Sequence, residues 1–442
     1  MSDNKKSQST RRTFLVNGSA IAAGVAAASS LTVARAAHPY GSDAIKIALI
    51  GCGGRGTGAA EQAMNTSGGD VRIVALADAF KHRLDESERN LRKQHKEKID
   101  VDESTRFVGP DAYKKALEVE CDMAILATPP GFRPLHFEAA IDAGKHVFAE
   151  KPVACDAPGV RRFLATTEKA KEKKLAVQVG LQRHHEKGYL ETIAQLHDGA
   201  IGEFILARAY WNNPGVWVRN REPADTELSY QCNNWYYFNW LSGDHINEQH
   251  IHNLDVINWV MQDYPTEAQG AGGREVRTGK EYGQIFDHHV IEYTYANGCK
   301  MLSMCRHMPD TWNAVSEYVH GTKGYCDVSG GKIFDLKNNL VWKSGGGGGG
   351  HQEEHHDLFA ALRRGEIPNE GENGAKSTMT AILGRMATYS GKVVKWKDAI
   401  ASEHHLADYD SMTSWDVAAP LTAGPDGFYP VPVPGQVNPL EC

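Results

Sequence analysis

Ile45-Lys46-Ile47-Ala48-Leu49-Ile50-Gly51-Cys52-Gly53-Gly54-Arg55-Gly56 is the stretch that decides the fold. Its first six residues are apolar apart from one lysine and rich in β-branched side chains, the pattern of a strand buried in a parallel sheet. Three glycines follow at once with the spacing G-x-G-x-x-G. Gly51 suits a tight turn, Gly53 leaves the backbone free to approach a pyrophosphate, and Gly56 lets a helix pack closely on the strand. From Thr57 onward, Ala59, Ala60, Gln62, Ala63 and Met64 read as that helix, whose N-terminus attracts anions.

The glycine spacing alone is a weak signal, and its surroundings strengthen it. Residues 71–77 form a second apolar strand ending at Asp78, about twenty residues beyond Gly56. A carboxylate there bonds a ribose 2′-hydroxyl and repels a 2′-phosphate, so NAD(H) is favoured over NADP(H). The α/β alternation continues with a helix at 111–118 and a strand at 121–127 that breaks at Thr128-Pro129-Pro130. A helix over 136–143, ended by Gly144, and a strand at 146–149 complete it. Right-handed crossovers make this a doubly wound parallel sheet. Gly51, Gly53, Gly54, Arg55, Gly56, Asp78, Thr128 and Pro129 are the expected dinucleotide contacts, the last two at the strand ends where a nicotinamide half would lie.

Residues 44–165 therefore read as a dinucleotide-binding domain and 166–442 as an α+β domain with a large, mostly antiparallel open sheet. The run at 175–179 reads as that second domain's first strand. Residues 285–342 alternate short strands and turns. Residues 208–240 are aromatic and loop-like, with Trp211 and Trp235 among their large aromatic side chains. Such faces stack on sugar rings or cover a subunit interface, and both readings stay open. Residues 345–350 are six glycines, a flexible link rather than a phosphate loop.

At the end of the 146–149 strand stands Glu150-Lys151-Pro152, and later comes Gly243-Asp244-His245-Ile246-Asn247-Glu248-Gln249-His250-Ile251-His252-Asn253-Leu254-Asp255. With the glycine turn, the acid after the second strand, the Thr-Pro-Pro break and the Gly321-Thr322-Lys323-Gly324 turn, the chain from Ile45 to about Lys397 resembles the Gfo/Idh/MocA oxidoreductases. That resemblance implies that Lys151 touches both the substrate hydroxyl and the cofactor, with Glu150 beside it on the cofactor. The family pattern Asp-x-Gly-x-His-x-x-Asp is matched by His252 and Asp255, whereas Glu248 replaces its first Asp and His250 its Gly. His252 is the expected general acid/base and Glu248 its orienting partner or a substrate contact. Ile251, Leu254, Ile257, Val260 and Met261 suit the buried face of one helix, with Glu248, His252 and Asp255 on another face of it. Arg183 and His184, after the 175–179 strand, are expected in the substrate pocket with Asp255, Trp211 and Trp235. No metal site is expected: no HExxH or CxxC spacing occurs, and His250 and His252 point apart on a regular helix.

The N-terminus reads as an address. Arg11-Arg12-Thr13-Phe14-Leu15, a small-residue apolar run over 21–33 and Ala34-Arg35-Ala36 have the layout of a signal peptide and resemble a twin-arginine signal. Residues 1–36 are thus expected to be cleaved, the protein to be periplasmic or otherwise exported through the twin-arginine machinery, and its NAD to travel with it, tightly bound. The 442 residues are 41% hydrophobic and 23% charged with a net charge of −7, which gives no basic surface for nucleic acid, and no stable membrane insertion is expected. The eight cysteines read as buried or free thiols. The expected reaction is hydride transfer at a ring alcohol of a sugar, glycoside or inositol by a homo-oligomer, dimer or tetramer. Two other readings are a redox-assisted glycosidase that oxidises, eliminates and re-reduces, and a non-catalytic periplasmic sugar-binding protein.

Overall fold

The computed structural model describes residues 44–442. The signal-peptide reading of residues 1–36 lies outside the described residues.

The strands β1 (Ile45–Ile50), β2 (Val71–Asp78), β3 (Arg106–Val108), β4 (Met123–Leu126), β5 (His146–Ala149) and β6 (Val177–Val179) form one sheet in the order β3-β2-β1-β4-β5-β6. Every neighbour pair is parallel. The order reverses between β1 and β4, and a crevice opens at the carboxyl ends of strands on either side of such a reversal. Side-chain alternation sorts the core. Ile45, Ile47 and Leu49 join Ala59, Ala60 and Ala63 of α1 (Gly54–Met64) and Leu84 and Leu91 of α2 (Lys81–His95). Ala48 and Ile50 face the other cluster, with Tyr113 of α3 (Ala112–Glu118), Phe137 of α4 (Arg133–Asp142) and Phe163 of α5 (Ala157–Glu172). Two expectations change here. The first helix starts at Gly54 rather than Thr57, because Gly53 caps it. The strand at 177–179 is the sixth of the parallel sheet, not the first of the next domain, since it pairs with β5.

After α6 (Lys187–His197) comes β7 (Phe204–Asn213), a ten-residue strand where the aromatic composition suggested loop. The helices α7 (Glu227–Asn233), α8 (Asn239–Ser242), α9 (His245–Glu248) and α10 (Ile251–Met261) follow it. The strands β8 (Glu267–Gly273), β9 (His288–Thr294), β10 (Lys300–His307), β11 (Ala314–Gly321), β12 (Gly324–Asp327), β13 (Lys332–Asp335), β14 (Leu340–Lys343) and β15 (Val394–Lys395) complete a nine-stranded sheet. Its order is β14-β13-β12-β11-β7-β10-β9-β8-β15. Only β7 with β10 is parallel.

One face of this sheet is the floor beneath α10 and the segment just before it. Ser303 and His307 of β10, Glu317 of β11 and Trp211 of β7 all contact residues of α10 or the segment just before it. On the opposite face Val290 and Leu302 are exposed.

The chain then returns to the first domain. Leu358 and Phe359 of α11 (Gly350–Arg363) enter the same core cluster as α1 and α2. The helix α12 (Gly371–Ser390) is buried almost end to end, meeting α5 on one side and the second sheet on the other, and α13 (Trp396–Ile400) precedes a long irregular tail. No described helix is long and apolar enough to cross a membrane. All eight cysteines are buried and none is in a disulfide.

Candidate active site

The glycine turn is built as its spacing demands. Gly51 has φ +96°, a left-handed conformation, and a Cβ there would overlap the backbone of Ala127 and Thr128. A Cβ on Gly56 would overlap the Gly51 carbonyl oxygen. A Cβ on Gly53 would meet nothing within 4 Å, so the space before the α1 N-terminus is clear. That space belongs to a cavity of about 330 Å³ lined by Gly51, Gly53, Gly54, Arg55, Gly56, Asp78, Thr128 and Pro129. Asp78 braces the turn: Oδ2 accepts from the Cys52 N–H at 2.7 Å and Oδ1 from the Phe80 N–H at 2.8 Å. Each oxygen retains a lone pair for a ribose hydroxyl. The clear cradle, the unbonded N–H groups of the first helical turn and the acid at the second strand fit a dinucleotide.

The far wall of this cavity was not legible. It comes from the second domain and the tail: Trp217, Arg219, Trp235 and Trp415. Trp415 packs on Phe80 with ring centroids 5.0 Å apart, and Trp217 meets Trp235 edge-on at 5.7 Å. Trp235, expected on the substrate, thus lines the dinucleotide cavity.

Glu150 and Lys151 lie off that cavity. Glu150 is buried and accepts from Arg55 Nε at 2.5 Å, so it holds the glycine turn rather than lining the cofactor space. Lys151, after β5 and before a cis peptide to Pro152, crosses to the second domain. Its Nζ donates to the Glu248 carbonyl at 2.5 Å and to Glu248 Oε1 at 3.0 Å. Glu248 also faces the buried phenol of Tyr236, a contact that its aromatic neighbourhood alone did not single out.

Glu248 and His252 do not share a helix. α9 ends at Glu248 and α10 begins at Ile251; the break is held by the second sheet. His250 Nε2 is 2.7 Å from Ser303 Oγ and Gln249 Oε1 is 2.7 Å from His307 Nε2. His252 is buried, stacks on Trp211 at 5.8 Å, and its Nδ1 has no hydrogen-bond partner among the described residues. Burial, then the charges of Lys151, Arg183, His351 and Arg55, hold its pKa well below the ordinary imidazole value. It is therefore neutral at neutral pH, and the Lys151 charge reaches it. His351, in the first turn of α11, feels Arg55, Glu150 and Lys151 and is a further member of this cluster; nothing in the glycine-rich run before it signalled that.

The other expected substrate contacts are committed elsewhere. Arg183 is buried in an ion pair with Glu317, which also accepts from Asn253 at 2.5 Å and Tyr189 at 3.2 Å. His184 Nε2 lies 2.8 Å from Asp255 Oδ2 and stacks on Trp259; Asp255 Oδ1 accepts from Ser377 and Asn373. These side chains brace α10 from behind, because each buried carboxylate has drawn in its donors.

The fold and the turn together define a class, a two-domain dinucleotide-binding oxidoreductase fold. Residues 45–181 match the family model described as "Oxidoreductase family, NAD-binding Rossmann fold", the Gfo/Idh/MocA family, and its cofactor is NAD. The chain is similar to the inositol 2-dehydrogenase of Pseudomonas fluorescens strain Pf-5, 33% identical over 199 residues, covering 44% of this chain and 51% of the relative. It thus spans about half the length of the curated relatives it matches. Among solved structures, the myo-inositol 2-dehydrogenase of Lactobacillus plantarum superposes with TM-score 0.61 and 20% identity, over 80% of this chain and 99% of that one. The myo-inositol dehydrogenase of Lactobacillus casei, solved with NAD(H) and myo-inositol, gives TM-score 0.60 and 19% identity, over 80% and 97%. At that identity the likeness shows the fold.

Proposed function

We propose that the protein is an NAD-dependent dehydrogenase that oxidises a secondary ring alcohol of an inositol or sugar. The observation that carries this reading is the Lys151–Glu248 pair whose charge reaches a buried, neutral His252, next to Glu150, which Arg55 of the glycine turn holds. The match to inositol 2-dehydrogenases supports a polyol as the substrate. Gly53, Gly54 and Arg55 would hold the pyrophosphate and Asp78 the adenosine ribose; NAD supplies hydride acceptance. The chain does the rest. His252, neutral and desolvated, takes the hydroxyl proton, and the Lys151 ammonium donates to the same oxygen and stabilises its developing charge. Glu248 keeps that ammonium in place. Trp211 offers the ring face beside His252 on which the apolar side of a cyclic polyol can lie.

Export by a twin-arginine route, with NAD carried inside, is part of this proposal. It rests on Arg11-Arg12 and the apolar run that follows, and the tryptophan wall over the cavity supports retention of the cofactor. A homo-oligomer is proposed as well, supported by the exposed Val290 and Leu302 on the open face of the second sheet.

The test is a panel of inositols, aldoses and glycosides incubated with NAD-loaded protein while NADH absorbance is followed. A cyclic polyol or sugar is expected to give stoichiometric NADH. Release of an aglycone with no net NADH would replace this reading with the redox-assisted glycosidase; tight binding without turnover or deuterium exchange at carbon would leave a sugar-binding protein.

A further inference from the structure

Behind the catalytic segment, away from the dinucleotide cavity, lies a polar cluster that the proposed reaction does not use. Asp244, His245 and His289 are all fully buried, and one ligand atom from each lies within 4.8 Å of the others. Asp244 precedes α9 in a conformation few non-glycine residues adopt, φ +72° and ψ 164°. That backbone turns its carboxylate inward, where Oδ2 accepts from the Phe286 N–H at 2.9 Å and the Tyr389 hydroxyl at 2.6 Å.

Thr388 Oγ1 lies 3.1 Å from the Gly384 carbonyl oxygen, 3.0 Å from that of Arg385 and 2.8 Å from His289 Nδ1. His289 Nε2 faces Asp244 Oδ2 at 3.2 Å. His245 is the member of the cluster left without a partner. Neither ring nitrogen has a hydrogen-bond partner among the described residues, and its Nε2 lies 3.8 Å from Asp244 Oδ1.

A cation among the three side chains would give His245 the partner it lacks and meet His289 and Asp244 at once. Ligands about 2.0–2.1 Å from a tetrahedral ion lie roughly 3.3–3.4 Å apart; here His289 Nε2 is 3.2 Å from one Asp244 oxygen and His245 Nε2 3.8 Å from the other, so the side chains would draw together around an ion. The two imidazole centroids are 4.9 Å apart at 64°, which leaves both rings room to reach one ion. The remaining contact of each outer ligand is also in place, with Thr388 orienting His289 and Tyr389 and Phe286 orienting Asp244. We propose that Asp244, His245 and His289 form a buried site for one divalent cation, with an N₂O donor set suited to zinc and a fourth position left to water. The ion would pin the start of α9 to β9, and so fix Glu248, the residue that holds Lys151.

The test is metal analysis of the full-length protein purified without chelator, which does not depend on turnover. About one zinc per chain is expected. Removing it with dipicolinate should lower the thermal midpoint, zinc should restore it, and cobalt added to the stripped protein should show the intense visible bands of a tetrahedral ion. His245→Gln and His289→Gln should each lose the ion, while His288→Gln, next door and outward-facing, should keep it. If the glutamine variants do not fold, the wild-type stoichiometry and cobalt spectrum decide. Wild-type protein that takes up no metal from zinc solution and shows no thermal shift overturns the proposal and leaves a purely hydrogen-bonded cluster. So does zinc retained in both folded glutamine variants.

Discussion

Arg55 Nε donates to Glu150 Oε1 across 2.5 Å, which ties the glycine turn to the residue next to Lys151. Burial pushes the Glu150 carboxyl up, but the cations Arg55, Lys151 and Arg133 outweigh it and hold its pKa below the ordinary value. The glycine turn and the Lys151 amine proposed for catalysis are therefore positioned by one ion pair.

Arg55→Met should strand that carboxylate. Because Arg55 is itself a third exposed, the cost is set at about 1–3 kcal/mol rather than that of a fully buried pair. Urea denaturation at pH 7 measures it, and a change within about 0.5 kcal/mol would show that Glu150 is satisfied without Arg55.

Glu354 gives a pH signature. It is buried on α11 with its nearest cation, Arg55, 4.0 Å away, and burial followed by the neighbouring Glu150 raises its pKa well above 4.5. The folded state therefore binds more protons than the unfolded one between 4.5 and the raised value, so Glu354 lowers stability as pH rises through that window. Glu354→Gln, shaped like the protonated acid, should match wild type near pH 4 and gain thermal midpoint steadily toward pH 8. Parallel midpoint curves for the two proteins would refute it.

Lys151→Ala should keep NAD binding and lose about 10²–10⁴-fold in kcat. In the wild type the acid limb of kcat/KM should fall below pH 6.5, since His252 must stay neutral to accept a proton and its pKa is depressed. Near-normal turnover in the variant would remove Lys151 from the chemistry.

Asp78→Ala should move preference toward NADP by about tenfold. The acid no longer repels a 2′-phosphate, and the cations Arg83 and Arg219, which line the same cavity, are there to meet one. Isothermal titration with both dinucleotides decides.

Trp415→Ala should weaken NAD binding by roughly two- to tenfold through faster release, the worth of one aromatic contact. An unchanged dissociation rate would mean that the tail is only adjacent to the cofactor.

The dinucleotide turn could be read from sequence because each glycine answers a local demand, a positive φ at Gly51 and a helix pressed on a carbonyl at Gly56. Asp78 followed from the strand before it. The reading failed where distant strands dictate the backbone. Glu248 and His252 sit in register for one helix, yet Ser303 and His307 pull His250 and Gln249 out of it. Residues 204–213 carried strand alternation, with Ala207, Ala209 and Trp211 facing one way and Arg208 and Tyr210 the other, and the aromatic composition hid it. Arg183, His184 and Asp255 are expected in the substrate pocket from sequence, but the structure commits them to Glu317, Ser377 and each other, partners far along the chain.

The return of α11 onto the first sheet has a consequence for synthesis. Leu358 and Phe359 close a face whose strands all leave the ribosome far earlier, and the whole second sheet except β15 is translated in between. The nascent dinucleotide domain must therefore wait with an oily side uncovered, so that chaperone capture, rather than autonomous folding, is expected of a fragment stopped before Gly350.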